Sequence, residues 1–255
     1  MDDRARNRKN LAEGMLVMYS KLEDEPEERW AQGIIEYIEG DQEFAVHGHT
    51  ARFTNGDIGF VKSIIDTDKI DSEHIINLIR IDENQKLEFK ETFSVNNETG
   101  EKLKCLKDAT VKEVAAFLNT VGGTILIGIS NDKKIIGIER DLNIIKVDSK
   151  KKETPEDKFK RSIEDIITER LKDPSILELF DINLVSVDDN GITKTVCVIV
   201  VKKSRKPIFM DMDMTFTECG TNRQKSTIKQ VFYVRTPDSK VREIESRDLQ
   251  DFIKK

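Results

Sequence analysis

Residues 117–130, FLNTVGGTILIGIS, mark the point where the chain passes from one kind of pattern to another. Apolar residues recur at helical spacing from Val111 to Leu118, which predicts a helix that ends within 119–123. The apolar run at 124–130 then predicts a central strand. Phosphate-binding loops have the opposite order, strand, glycines and helix, because helix amides must face the anion. The order therefore argues against an ATP-binding loop.

Strands and helices alternate on both sides of this stretch. Upstream, residues 86–93 alternate apolar and polar side chains and predict a half-buried strand. Downstream, the sequence predicts a long amphipathic helix through 159–171, followed by strands at 182–187 and 195–203 on either side of the turn 189–191. An irregular stretch at 211–230, a strand at 231–235 and a last helix near 246–253 complete the prediction. Because strands follow one another through hairpins as often as through helices, we predict an α+β fold with a mixed β-sheet and packed helices.

The first 80 residues have a different pattern of apolar and turn residues. Short apolar runs at 15–20, 29–38, 43–48, 50–53 and 58–65 are separated by turn residues and predict five strands. Five short strands in about 50 residues are typical of a small barrel. Asp71 and Ser72 then predict the capped start of a helix. We therefore divide the chain into a small β-rich, SH3-like domain with a linking helix, 1–80, and a second domain, 81–255.

Composition limits the class of protein. No stretch approaches the roughly 18 uninterrupted apolar residues that a membrane helix needs. The first residues, MDDRARNRKNLAEG, lack the apolar core of a secretory signal. The three cysteines are widely spaced and form no CxxC motif, which argues against a structural zinc site and favours a reducing compartment. We expect a cytoplasmic protein without membrane contact.

Charge is distributed unevenly along the chain. Residues 1–90 carry 12 Lys and Arg against 20 Asp and Glu, whereas residues 194–235 carry nine against three. A local cationic face can bind phosphate on an acidic protein, since screening limits the field to about 10 Å. The best candidates for nucleic-acid contact are Lys202, Lys203, Arg205, Lys206 and Arg235. A solvated surface explains the lysines equally well, and a salt bridge would explain Arg235.

Acidic and basic residues also alternate within LEFK, residues 87–90. On a strand, Glu88 and Lys90 would share the polar face and could hold a metal ion and a phosphate oxygen together. An ordinary solvent-facing strand is the more common explanation. His47 and His49 form an H-x-H pair that could bind metal, but no third ligand is near them in sequence, so surface histidines are favoured.

Taken together, LEFK, AFLNTVGGTILIGI, IIGI, PIF and FYVR resemble the Schlafen core, or AlbA-2 domain, over about residues 83–255. The resemblance implies cleavage of tRNA or rRNA by members that hold a divalent cation with three acidic residues. Other members only bind nucleic acid. Residues 1–80 share none of these motifs.

The resemblance also implies which residues would act. The first two acids match Glu83 and Glu88, and the basic residue that follows matches Lys90. The third acid would fall on Asn131, with Asp132 next to it, so Asp132 is the candidate that completes the site. Oxygen ligands of this kind would select Mg²⁺ or Mn²⁺. The metal ligands are then Glu83, Glu88 and Asp132, with Lys90 stabilising charge on the phosphate.

The resemblance implies a metal-dependent endoribonuclease that acts on structured RNA, with tRNA or rRNA as the partner and a role in stress or antiviral defence. Because the chain has one copy of the core, we expect a homodimer to form a two-lobed groove. The alternative, favoured by Asn131, is a non-catalytic DNA- or RNA-binding regulatory module. The partner of the N-terminal domain is not indicated by the sequence.

Overall fold

The computed structural model describes residues 3–13, 15–22, 30–65, 70–145, 153–217 and 224–245. The chain divides into two compact units, Met1–Asp82 and Glu83–Lys255. Within the described residues, no helix is long and apolar enough to span a membrane.

The first unit is a four-stranded closed barrel. Its strands are β1 (Leu16–Lys21), β2 (Trp30–Ile38), β3 (Thr50–Phe53) and β4 (Ile58–Ile64), all paired antiparallel. Buried residues such as Tyr19, Ile35, Phe53 and Val61 fill its interior. The predicted small β-barrel is therefore confirmed.

One predicted strand of this unit is wrong. Residues 43–48 form a loop that meets the rest of the unit through an isolated bridge between Asn7 and Phe44. The apolar alternation of the segment misled the assignment, because Phe44 and Val46 both face solvent instead of the barrel interior. Positive φ angles at Gly40 and Gly48 turn the chain at either end of this loop.

The linking helix is where the sequence predicts it. α1 spans Ser72–Arg80, and its N-cap is Asp71, whose side chain accepts a hydrogen bond from His74 N at 3.0 Å. This bond satisfies one of the backbone amides that a helix start leaves unpaired. Ile75 and Leu78 are buried on the same face.

The second unit has a mixed sheet of four strands in the order β5-β6-β8-β7. They are β5 (Leu87–Lys90), β6 (Gly123–Ile127), β7 (Phe180–Asp189) and β8 (Ile192–Val201). β5 runs parallel to β6, and the other pairs are antiparallel. Asn190 and Gly191, both with positive φ, form the tight turn between β7 and β8.

Among the described residues, this unit has the α-helices α2 (Lys104–Leu118), α3 (Glu139–Asn143) and α4 (Pro155–Leu171). A capping box between Thr154 and Asp157 starts α4, and Pro155 fits its first turn. Phe159, Ile163 and neighbouring apolar residues of α4 pack with α2 and the sheet in one core. The α+β class is confirmed, although α3 was not predicted.

A second sheet follows, in the order β11-β10-β9. Its strands are β9 (Met210–Thr217), β10 (Gln224–Arg235) and β11 (Val241–Ile244). The predicted irregular stretch at 211–230 is wrong, because β9 and most of β10 form a long antiparallel hairpin there. The many polar residues of both strands, such as Asp213 and Lys229, hid the strand pattern. The predicted last helix near 246–253 lies outside the described residues.

Candidate functional site

The segment after α2 holds several parts of the second unit together through Asn119. Its buried amide donates to the carbonyls of Ile208 and Tyr233, at 2.8 and 2.9 Å, and accepts from Ile208 N at 2.8 Å. Thr120 Oγ1 accepts from the backbone amide of Arg235 at 2.9 Å. The NTVGG motif therefore ties β10 to the end of α2 and fixes where Arg235 lies.

Gly122 allows a close approach of backbone in the same motif. Its φ is +74°, and a Cβ added there would lie 2.6 Å from the carbonyl oxygen of Val201 and 3.2 Å from Lys203 N. The amide of Gly122 also closes α2 by donating to the carbonyl of Phe117 at 3.0 Å. A side chain at this position would push the segment after β8 away from α2.

Four charged side chains, which we call the charge cluster, meet where β5, α2 and β10 come together: Glu88, Lys90, Glu113 and Arg235. Arg235 Nη2 lies 2.7 Å from Glu88 Oε2, and Arg235 Nη1 lies 2.6 Å from Glu113 Oε2. Lys90 Nζ forms a short ion pair with Glu88 and lies 3.5 Å from Glu113 Oε1. The two cations and two anions balance one another, which is the condition for burying them.

The alternative explanation for Glu88, an ordinary charge on a solvent-facing strand, is wrong. Glu88 is only 8% exposed because α2 and β10 cover that side of β5 and bring Glu113 and Arg235 against it. An alternating pattern on a short strand shows that one face is apolar and the other polar. It does not show whether another element covers the polar face.

Arg235 is a structural residue in this arrangement, so its proposed contact with phosphate needs correcting. Its side chain has no exposed surface. Besides the two carboxylates, it donates to the carbonyls of Asn84 at 3.0 Å and Leu87 at 2.9 Å, and the guanidinium lies 4.7 Å from the centre of the Phe117 ring. The salt bridge that the sequence left open as an alternative is the one observed.

Glu83 lies next to the charge cluster. Its Oε1 accepts a hydrogen bond from Phe89 N at 2.7 Å, which bends the chain back beside β5. Burial raises the pKa of Glu83, and the nearby carboxylate of Glu88 raises it further. Burial likewise raises the pKa of Glu113. Burial alone would lower the pKa of Lys90, but Glu113 and Glu88 outweigh it, so this pKa is raised.

Asp132 does not join these residues. Its side chain is 81% exposed, and its nearest charged partner is Lys134, 3.9 Å away. The turn that carries it, with Lys133 at positive φ, begins just beyond the end of β6. The structure therefore brings Glu83, Glu88 and Lys90 together and leaves Asp132 in solvent.

The residues present do not fit a Mg²⁺ or Mn²⁺ site in this arrangement. Both oxygens of Glu88 and of Glu113 already face Lys90 and Arg235, which supply the positive charge that a metal ion would bring. Within the described parts of the chain, no group of three or more His, Cys, Asp or Glu side chains is placed to hold a metal ion. Among the described residues, His47 and His49 likewise belong to no metal-binding group. His47 is exposed, whereas His49 is buried with a ring nitrogen 3.0 Å from the carbonyl of Arg6.

A second group of charges lies on the surface after β8. We call it the cationic run: Lys202, Lys203, Arg205 and Lys206. All four are exposed, while Ser204 between them is buried. The amide of Ser204 donates to the carbonyl of Leu118 at 2.7 Å, and its hydroxyl accepts from the amide two residues later at 3.2 Å. A buried anchor thus fixes the backbone of the run to the end of α2.

The four cations differ in their partners. The outer lysines pair with Asp181 at 3.6 Å and with Asp173 at 2.6 Å. For the inner pair, Lys203 and Arg205, no carboxylate partner lies among the described residues. Exposed cations that have no carboxylate partner in the described parts of the chain, on a fixed backbone, can bind the phosphates of a nucleic acid without first breaking a described ion pair.

Glu113 is the member of the charge cluster that the sequence analysis missed. It is the only acidic residue between Thr110 and Leu118, in the half of α2 where almost every other side chain is buried. A lone acid in such a segment needs a cationic partner, since an unpaired buried carboxylate is strongly unfavourable. That rule would have singled out Glu113, although not Arg235 as its partner.

Comparison with known proteins identifies the family of the second unit. A family model described as Schlafen, AlbA_2 matches residues 83–244, which is most of the second unit. The search of curated proteins returned no match. The matched segment contains the strand LEFK, the NTVGG motif and Arg235, which together build the charge cluster and anchor the cationic run. The chain therefore belongs to the Schlafen AlbA_2 family.

Proposed function

We propose that the second unit binds structured RNA, and that the cationic run contacts its phosphate backbone. Membership of the Schlafen AlbA_2 family is consistent with a function related to nucleic acid. RNA helices are recognised mainly through shape and backbone, which suits a surface of lysine and arginine without base-reading groups.

One observation carries this proposal: four exposed cations lie within five residues on a backbone that a buried serine and Gly122 hold against α2. A fixed backbone keeps the cations close together before RNA arrives, so less conformational freedom is lost on binding. The charge cluster supports this surface from the interior through the NTVGG motif, and its Arg235 makes no contact of its own with RNA because its side chain is fully covered.

The test is the salt dependence of binding to tRNA, measured by fluorescence anisotropy in the presence of EDTA. Each phosphate contact adds about 0.7 to 0.9 to the slope of log affinity against log salt. The double variant Lys203→Ala, Arg205→Ala should therefore lower that slope by about 1.5 and weaken binding at every salt concentration. The matched control is Lys240→Ala, an exposed lysine in the turn before β11.

Equal slopes for the double variant, the control and the wild-type chain would exclude the cationic run as the contact surface. A duplex DNA of similar length belongs in the same experiment. Tighter binding to DNA than to tRNA would contradict the choice of RNA.

A second candidate function is cleavage of the RNA, because Glu83, Glu88 and Lys90 lie together at one end of β5. This candidate includes the tRNA substrate, the homodimeric groove and the Mg²⁺ or Mn²⁺ dependence implied by the sequence resemblance. An ion could bind Glu88 only if Lys90 or Arg235 left its carboxylate, because both oxygens of Glu88 face these cations in this arrangement. Incubating the chain with tRNA and Mn²⁺, with and without EDTA, tests it. Cleavage should be lost in Glu83→Gln and Glu88→Gln, and Asp132→Asn shows whether the exposed turn takes part.

The proposal also covers the location, assembly and biological role of the protein, for which the sequence is the only basis. We place the protein in the cytoplasm, as a homodimer that combines two cationic runs, in a stress or antiviral response. Sedimentation velocity with and without tRNA tests the dimer directly, since a single species at the mass of one chain would contradict it.

A further inference from the structure

The loop between β2 and β3 of the barrel unit presents apolar side chains to solvent. Phe44 is 57% exposed and Val46 is 61% exposed, although each could have packed into the barrel had 43–48 been a strand. Exposed large apolar residues that lie together mark interaction surfaces more often than isolated ones do.

The backbone on both sides of Phe44 is fixed. Arg8 N donates to the carbonyl of Glu43 at 2.9 Å, and Ala45 N donates to the carbonyl of Arg6 at 2.9 Å. These two hydrogen bonds to the N-terminal segment fix the backbone of Phe44 while its side chain faces solvent. A side chain presented in this way loses little freedom when a ligand covers it.

Phe44 and Val46 line a groove of about 610 Å³. Phe60 of β4 forms part of its wall, and Glu39, at the end of β2, forms part of its rim. A groove of this size accommodates one or two side chains of an extended peptide.

The charge around the groove is negative. From Glu39 to Ala51, the stretch that forms most of the groove, the sequence contains three acidic residues, Glu39, Asp41 and Glu43, and no lysine or arginine. All three are exposed.

Two cations near the groove, Lys62 and Arg6, already have partners. Lys62 is only 6% exposed, donates to the carbonyl of His47 at 3.4 Å and lies 5.6 Å from the centre of the Phe60 ring. Arg6 pairs with Asp3 at 2.9 Å. Three carboxylates, of Glu39, Asp41 and Glu43, are exposed at or beside the groove, and Arg52 is exposed two residues beyond the lining Thr50, so these side chains together carry a net negative charge.

We propose that this groove binds a cationic peptide segment of a partner protein, with one large apolar side chain against Phe44 and Val46 and basic side chains on the acidic rim. Charge complementarity favours this occupant, because the same rim repels RNA and anionic lipid headgroups. The site lies in the unit outside the matched family segment, so the inference is independent of RNA binding by the second unit.

The experiment uses the full chain and a fluorescein-labelled peptide in which a leucine is flanked on both sides by arginines and lysines. Binding is followed by anisotropy, and it should weaken as salt is added. Two further peptides, one with serine for leucine and one with glutamates for the basic residues, should bind at least about tenfold more weakly.

Matched pairs of variants locate the site. Phe44→Ser and Glu39→Lys should each weaken binding of the cationic peptide by about tenfold or more. Tyr37→Ser and Glu36→Lys alter equally exposed side chains of β2 that do not line the groove, and should leave the affinity unchanged. Circular dichroism checks that all four variants are folded.

Each of three results of the peptide-binding experiment would overturn the proposal: no binding of the cationic peptide, equal loss in the groove variants and their controls, or equal binding of the serine peptide. Concentration-dependent self-association that Phe44→Ser abolishes would also overturn it, because the occupant would then be a second copy of the chain. Loss of tRNA binding in Glu39→Lys would contradict the repulsion of RNA on which the choice of ligand rests.

Discussion

The charge cluster and the cationic run belong to the same unit, and both appear in the sequence as charged residues. In the structure, the cluster is largely buried and the run is exposed. Arg235 has no exposed surface and is bound by two carboxylates and two carbonyls, whereas Lys203 and Arg205 are exposed beside a buried serine. A charge that is enclosed and neutralised stabilises the fold, and one that is open and unpaired can bind an external anion. The comparison teaches that burial, more than residue type, decides the role of each cation.

The largest effect should come from Arg235→Met. Removing the guanidinium leaves Glu88 and Glu113 buried with Lys90 as their remaining cation, so the free energy of unfolding should fall by about 3 to 5 kcal/mol. Urea unfolding followed by circular dichroism measures it. The control Arg242→Met, an exposed arginine on β11, should change the same quantity by less than about 0.5 kcal/mol. Equal losses in both variants would show that the buried ion pairs of Arg235 contribute no more to stability than an exposed arginine does.

A somewhat smaller loss should follow Asn119→Ala. The change removes three buried hydrogen bonds to Ile208 and Tyr233 and leaves their backbone groups unpaired, which should lower the free energy of unfolding by about 3 kcal/mol. Asn97→Ala, which removes a single exposed bond to Glu91, is the matched control. A loss no greater than that of the control would contradict the role of the NTVGG motif as a structural tie.

A smaller, pH-dependent effect should come from Glu83→Gln. Because the pKa of Glu83 is raised in the folded state, folding binds its proton, and this contribution to stability is lost as pH rises through the raised pKa. The wild-type chain should thus lose stability relative to the variant as pH rises from about 4.3, the ordinary glutamate pKa. Urea unfolding at a series of pH values measures the difference. A difference that does not change with pH would contradict the raised pKa.

Much of the fold follows from local patterns. The helical spacing up to Leu118, the apolar run of β6 and the Asp71 cap each depend on neighbours in sequence, and each is found as predicted. The patterns failed where the decisive contact is distant. Phe44 alternates with Val46 as a strand would, but the segment forms no strand, and its pairing is an isolated bridge between Phe44 and the distant Asn7.

The candidate site shows the same limit more strongly. Sequence motifs singled out Glu83, Glu88 and Lys90, which do lie together, because they share one short stretch of chain. Glu113 and Arg235 reach them from α2 and β10, and a pairing between residues 122 positions apart has no local signal. The sequence could name charged residues, but it could not tell which would be enclosed.

The most direct test of the account measures stability and RNA affinity on the same two variants. Glu113→Gln changes the charge cluster with little change in shape, and Lys203→Ala with Arg205→Ala changes the cationic run. We expect the first to lower the free energy of unfolding while the folded chain keeps its affinity for tRNA. The second should leave stability within about 0.5 kcal/mol of wild type and lose tRNA affinity. If the folded Glu113→Gln chain loses tRNA binding while the double variant keeps it, the account is contradicted.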